Sequence, residues 1–313
     1  AQTCGYCLSK FIGIKVVSEV PPRRRGMAIL GAIGIAELAL FLFGIVPAPY
    51  GAIMLFLNGL PLGMVWGLVF GFLEGRRVSD LLGAGLSTSY IVASGAVKAV
   101  GRWLLENDLF SVSEAWMPAA VGLLFTLPLL LAVWMLQKLP PPSEEDESER
   151  TRRRPMNARA RRSFLLRYWP GLVALILLYF FLTAYRDFRD SFAREIWDAL
   201  GFESEPSIFA TAELPIALGV MVALGALYRI RHNRRALLAV HLLMGAGAAM
   251  IGVSTWLYEA GVLPPAPWMV LVGLGLYLAY VPYGCILFDR MIAVLGVVGT
   301  AGFMIYVTDA VGY

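Results

Sequence analysis

The sequence predicts an all-α, polytopic membrane bundle on three observations. Hydrophobic residues make up 58% of the 313-residue chain and charged residues 15%, with a mean hydropathy of +0.70, a balance that a water-soluble domain does not show. Apolar stretches of about 20 residues, enough to cross roughly 30 Å of hydrocarbon as helix, recur along nearly the whole chain. They lack the period-two alternation of barrel strands, and of the two folds that satisfy the backbone in lipid this leaves helices.

The spacing predicts about ten spans, at 1–18, 27–46, 50–74, 80–105, 116–137, 168–190, 209–229, 235–259, 266–288 and 291–313. The first opens at Ala1 with neither Met nor a basic leader, and the last stops at Tyr313 inside an apolar run. A parent of about twelve spans is therefore expected, one missing at each end.

Lys and Arg alternate from loop to loop. They follow the first span (Lys15, Arg23, Arg24, Arg25), the third (Arg76, Arg77), the fifth (138–167) and the seventh (Arg229, Arg231, Arg234, Arg235). The connections 47–50, 106–115 and 259–267 carry neither, and the exception to the alternation is the Arg-bearing stretch after the sixth span. Positive charge stays on the cytoplasmic side, which orients the chain as a multi-pass membrane protein.

The segment 139–167 begins with Pro140, Pro141 and Pro142, runs through the acidic block 144–149 and ends in the basic block 150–162. It cannot bury a core and reads as a charged cytoplasmic linker, flexible or lying on the surface. It divides the chain into an N-terminal bundle, 1–138, and a C-terminal bundle, 168–313, of five expected spans each. The basic loops after spans one and seven echo one another, as in transporters built from two pseudo-repeated halves around a midplane site.

The run Gly5-Tyr6-Cys7-Leu8-Ser9-Lys10-Phe11-Ile12, followed by Ser18-Glu19-Val20-Pro21-Pro22-Arg23-Arg24, resembles the second helix and basic loop of the major facilitator superfamily. It is most similar to the organophosphate:phosphate antiporter group, or to a bacterial sub-family of the superfamily. Leu55-Phe56-Leu57-Asn58-Gly59 with Gly63-Met64-Val65-Trp66 resembles that group's fourth helix. The resemblance covers most of the chain in layout but only these runs in sequence, and it implies a major-facilitator-like fold, anion exchange by alternating access and a bacterial inner (plasma) membrane as the expected location. Two features depart from the pattern: no Asp-Arg pair follows Gly13, and Ser87, Ser89 and Tyr90 stand near the place of the exchangers' fifth-helix His.

Ionisable residues within spans are the candidate site, because charge at the bilayer centre is costly and usually faces a cavity or a partner. Lys10 lies about nine residues, some 14 Å, from the helix end near Glu19, at midplane depth; the resemblance makes it a lysine of the substrate cavity, and the bland alternative is a lysine paired to a neighbouring helix. On the outer half of the sixth span helical spacing places Arg186, Arg189 and Asp190 on one face, with Asp187 next to Asp190 and Ser191. Arg186 resembles the exchangers' seventh-helix Arg that clasps phosphate, a task suited to a planar fork of donors, while internal cancellation against Asp187 and Asp190 is the competing use. Lys98 and Arg102 share a face of the fourth span as anion-entry residues or interfacial anchors. Substrate contact is thus assigned to Lys10, Arg186, Tyr90, Lys98 and Arg189.

Glu37, Glu213 and Asp309 are further intramembrane acids. Glu213 resembles an acid of the exchangers' eighth helix that pairs with a cavity cation or carries a proton. Coupling or gating is assigned to Glu213, Glu19, Arg23, Arg24, Asp187 and Asp190.

Cys4 and Cys7 have the spacing of a redox pair but sit in an apolar helix, and His232 and His241 have no ligand at metal spacing. No cofactor, metal or nucleic-acid partner is expected, and no catalytic pair suggests an enzyme. The expected function is secondary active transport of a small, anionic solute, an organic phosphate or similar, by a monomer in the lipid bilayer. The alternatives are a transport-inactive receptor or scaffold of the same fold and a transporter of a non-phosphate solute.

Overall fold

The computed structural model describes residues 1–73, 76, 78–106, 112–149, 158–202, 208–296 and 301–312. They form α1 (Gln2–Glu19), α2 (Pro22–Ile45), α3 (Ala48–Leu73), α4 (Ser79–Glu106), α5 (Met117–Gln137), α6 (Glu144–Glu149), α7 (Ala158–Ser191), α8 (Ala193–Ala199), α9 (Ile208–Leu227), α10 (Asn233–Glu259), α11 (Pro265–Gly284), α12 (Leu287–Leu295) and α13 (Ala301–Gly312). No strand occurs among the described residues, and the chain is an α-helical membrane bundle. Its apolar side chains point outward as well as inward: Leu127 is 75% exposed, Met27 71% and Val222 67%, a surface suited to hydrocarbon rather than water.

Among the described residues six helices are long and apolar enough to cross a membrane, α2, α3, α5, α7, α10 and α11, where the sequence reading expects about ten. Among the described residues, shorter apolar helical stretches run over Leu81–Ala93, Thr211–Leu227 and Ala301–Gly312, and α4 also carries Lys98, Arg102 and Glu106. The single span expected at 291–313 is divided into α12 and α13. The end of α12 is fixed by Gly296 in the left-handed conformation (φ 62°), which glycine adopts without a Cβ penalty. Before it, α11 stops at Gly284 just past Pro282, where the missing N–H and the ring disfavour further helix.

The segment expected as the linker, 139–167, contains helix. Helix α7 begins at Ala158 rather than near 168, so Arg159, Arg161 and Arg162 ride on its first turns instead of a flexible segment, and the acidic block forms α6. At 34 residues, α7 is about 50 Å long, more than the hydrocarbon thickness, and its basic turns project past the apolar part. Residues 150–157 of the expected linker lie outside the described residues.

Helices α1–α5 pack among themselves, as do α7–α13. The two groups meet through α1 on α13 and α4 on α9, with lesser contacts of α3 with α13 and of α4 with α11. Close approach within each group depends on glycine. On α3, a Cβ at Gly63 would run into the Tyr6 carbonyl and the Ser9 hydroxyl of α1. Between α10 and α11, Gly247 and Gly275 each face the other's carbonyl oxygen. Such small-residue contacts replace the hydrophobic drive that helices lack inside lipid. The largest core lies around α11, where Leu276, Ala279 and Val281 are at most 2% exposed.

Candidate functional site

A cavity of about 220 Å³ lies where the two groups meet. It is lined by Tyr6 and Lys10 of α1, Trp66 of α3, Ser87 and Tyr90 of α4, Tyr179 and Arg186 of α7, Tyr280 and Tyr283 of α11, and Thr308 and Asp309 of α13, among others.

Tyr6 and Lys10 are four residues apart on one face of α1, and the Lys10 ammonium sits 4.4 Å from the centre of the Tyr6 ring and 5.2 Å from that of Tyr306. Gly63 lets α1 lie against α3 at this level. From α13, the Tyr306 hydroxyl accepts from the Gly67 N–H (3.1 Å) and lies 3.1 and 3.0 Å from the Gly63 and Met64 carbonyls. These bonds dock α13 on α3 and bring Asp309, one turn further along, to Lys10. Lys10 Nζ and Asp309 Oδ2 are 2.5 Å apart, with side chains 1% and 8% exposed.

The network continues through the C-terminal group. Tyr179 donates to the other Asp309 oxygen. Its hydroxyl is 2.9 Å from that of Tyr280, and the two rings stack at 5.2 Å. Arg186 donates to the Tyr280 hydroxyl and lies 4.7 Å from the centre of that ring, a cation–π position. Its Nε and Nη2 donate to Asp187 Oδ1 at 3.1 and 2.6 Å. A polar chain therefore runs from Lys10 through Asp309, Tyr179 and Tyr280 to Arg186 and Asp187, joining two cations and two carboxylates. Ser87 Oγ, buried on the cavity wall, has no hydrogen-bond partner among the described residues.

Of the residues expected to touch substrate, Lys10, Arg186 and Tyr90 line this one cavity. Tyr90 packs edge-on against Trp66 (5.8 Å) and Tyr277 (6.3 Å). Arg189 is not among the lining residues; it is 7% exposed and bonds Glu213 of α9 at 2.8 Å, beside Gly273 of α11. Its Nε and Glu213 Oε2 are buried with no hydrogen-bond partner among the described residues. Lys98 and Arg102 belong to α4, but their side chains lie outside the described residues. Asp190 is exposed at the α7 end.

The remaining gating candidates cluster where α1 meets α2, away from the cavity. Arg23 and Arg24 are exposed, and Glu19 reaches Arg161 of α7 at 3.9 Å. At the same basic end Ser79 of α4 bonds Asp289 of α12 at 3.3 Å, and Arg290 bonds Asn233 at 2.8 Å. Glu37 faces α5 at Gly122, well removed from this network.

Sequence reasoning names Asp309 only as one more intramembrane acid and does not reach Tyr179 or Tyr280. A signal for the tyrosines is present in Tyr277, Tyr280 and Tyr283, spaced at i, i+3 and i+6 along an otherwise apolar helix. The pairing of Asp309 with Lys10 spans 299 positions and has no local signature.

A comparison with curated proteins returns no match. Over residues 1–313 the chain matches the family of unknown function DUF5690, and it belongs to that family.

Proposed function

We propose that this protein is a secondary active transporter that carries a small anionic solute by alternating access between its two helix groups. The carrying observation is a single cavity at the junction of the groups with Lys10 on one side and Arg186 on the other. A solute held by both would be released as the groups rock apart, because its affinity depends on their relative position. Ser87 Oγ offers a further polar contact, and the arginine fork suits a carboxylate or phosphate.

Support for a major-facilitator-like arrangement comes from the packing order. Exchanging α1 with α9, α2 with α10, α3 with α11 and α4 with α13 turns the α1–α13 junction into the α9–α4 junction, and the α1–α3 and α2–α3 contacts into α9–α11 and α10–α11. In this reading α1, α4, α9 and α13 also cross the bilayer, sheltered at the junction, giving the ten spans. The basic loops then face the cytoplasm, where Glu19–Arg161 and Ser79–Asp289 tie the groups together. Organic phosphate is the substrate class favoured by the resemblance around Lys10.

A second reading, a transport-inactive receptor or scaffold, draws on the fact that each cation already faces a carboxylate of the protein. Exchange of labelled inorganic phosphate and glycerol 3-phosphate in phosphate-loaded proteoliposomes of the full-length protein separates the two. Exchange that Lys10→Ala and Arg186→Lys abolish is the expected result; a folded wild type that exchanges neither compound removes the phosphate assignment.

A further inference from the structure

We infer that Asp309 is a proton-coupling carboxylate, an internal anion that occupies Lys10 in the empty protein and yields it to the solute on taking up a proton. This rests on the transport reading above and adds to it the co-transported ion.

The inference comes from charge balance around one buried ammonium. Lys10 and Asp309 are nearly inaccessible and 2.5 Å apart, so the empty site carries no net charge, and Arg186 with Asp187 is balanced in the same way. An anion that binds Lys10 while Asp309 stays ionised leaves a second negative charge at midplane depth, which lipid surroundings penalise heavily. Breaking a buried pair by withdrawing one partner has the same cost. Protonation of Asp309 removes both penalties. The proton adds to a carboxylate oxygen, the Lys10 N–H groups turn to the solute oxyanion, and Lys10 with a monoanion and neutral Asp309 again sums to zero. On the far side the solute leaves, the proton leaves Asp309, and the Lys10–Asp309 pair re-forms.

The groups around Asp309 suit this cycle. From α1 it faces Lys10, with Tyr6 behind; from α7 it faces Tyr179; through Tyr179 it reaches Tyr280 of α11; and Tyr306 is its neighbour on α13. Helix α3 contributes Trp66 and backbone groups at this level, and the charges of α12, Asp289 and Arg290, are engaged elsewhere with Ser79 and Asn233. Tyr179 can accept from protonated Asp309 or donate to the carboxylate, so its hydroxyl serves both states. Both states being balanced, the unloaded carrier can reorient without an anion, and net uptake becomes possible beside exchange.

The test uses proteoliposomes of the full-length protein, with pyranine trapped inside and labelled inorganic phosphate outside. In phosphate-free vesicles with an acidic exterior, the wild type is expected to take up phosphate and acidify the lumen in step with it. Asp309→Asn removes the titrating carboxylate, so the variant should lose gradient-driven net uptake, and the luminal acidification that accompanies it, by about tenfold or more. A wild type that exchanges phosphate but shows neither net uptake nor luminal acidification overturns proton coupling and leaves the transporter standing. Absence of exchange as well overturns the phosphate reading and this inference with it. If Asp309→Asn does not fold, the wild-type pyranine signal decides alone.

Discussion

Two ion pairs in this molecule look alike in composition and differ in position. Lys10–Asp309 joins α1 to α13, one helix from each group, on the wall of the cavity. Arg189–Glu213 joins α7 to α9 within the C-terminal group, with side chains 9% and 24% exposed. Both pairs are largely withdrawn from solvent, the first more completely than the second. What separates them is whether the partners sit on bodies that the proposed motion moves apart: the first pair must open and close in each cycle, whereas the second can persist throughout.

The largest effect expected from this contrast is at the first pair. Lys10→Leu or Asp309→Leu alone leaves one buried charge without its partner and should cost about 3–5 kcal/mol, read as a drop in thermal stability in detergent. The double variant should recover most of that loss yet remain inactive in the exchange assay. Recovery of exchange by the double variant would show that the pair only braces the fold.

Arg189→Met should cost less, about 1–3 kcal/mol, because Glu213 keeps partial access to its surroundings, and exchange should persist within about threefold. Loss of exchange at full stability would move Arg189 into the transport path and blur the comparison. Tyr179→Phe removes one donor to Asp309 and the bridge to Tyr280, with about 1 kcal/mol of stability at stake. Its sharper readout is the pH dependence of net uptake, which should change while exchange survives. At the small end, Arg194→Ala breaks an exposed pair with Asp198, 3.7 Å apart with Arg194 84% exposed, and should change stability by no more than about 0.5 kcal/mol. A larger loss there would mean that surface pairs at this helix end carry weight that solvent screening should remove.

Helix positions were largely legible in the sequence. Apolar length marks α2, α3, α5 and α10 within a few residues of their ends, because an apolar run long enough to span is a local property. The breaks around α12 were not, since the apolar run hides the effects of Pro282 and Gly296, which act on backbone geometry rather than on hydropathy. The same holds for the start of α7, where a charged, linker-like composition is helical on the strength of the Arg- and Ala-rich turns leading into an apolar helix.

The candidate site divides in the same way. Lys10 and Arg186 stand out in the sequence because a charge inside an apolar run is conspicuous wherever it lies, and that much, with the membrane class and the alternation of basic loops, was determined by the sequence alone. Which charges meet was decided by the tertiary structure. Arg186 shares the cavity with Lys10 while Arg189, one turn further along the same helix, turns to Glu213; Asp309 closes on a lysine 299 positions away. Both outcomes depend on close packing of helices from distant parts of the chain, Gly63 against α1 and Tyr306 against α3, and on the need of each buried charge for an opposite one, which no run of neighbouring residues records.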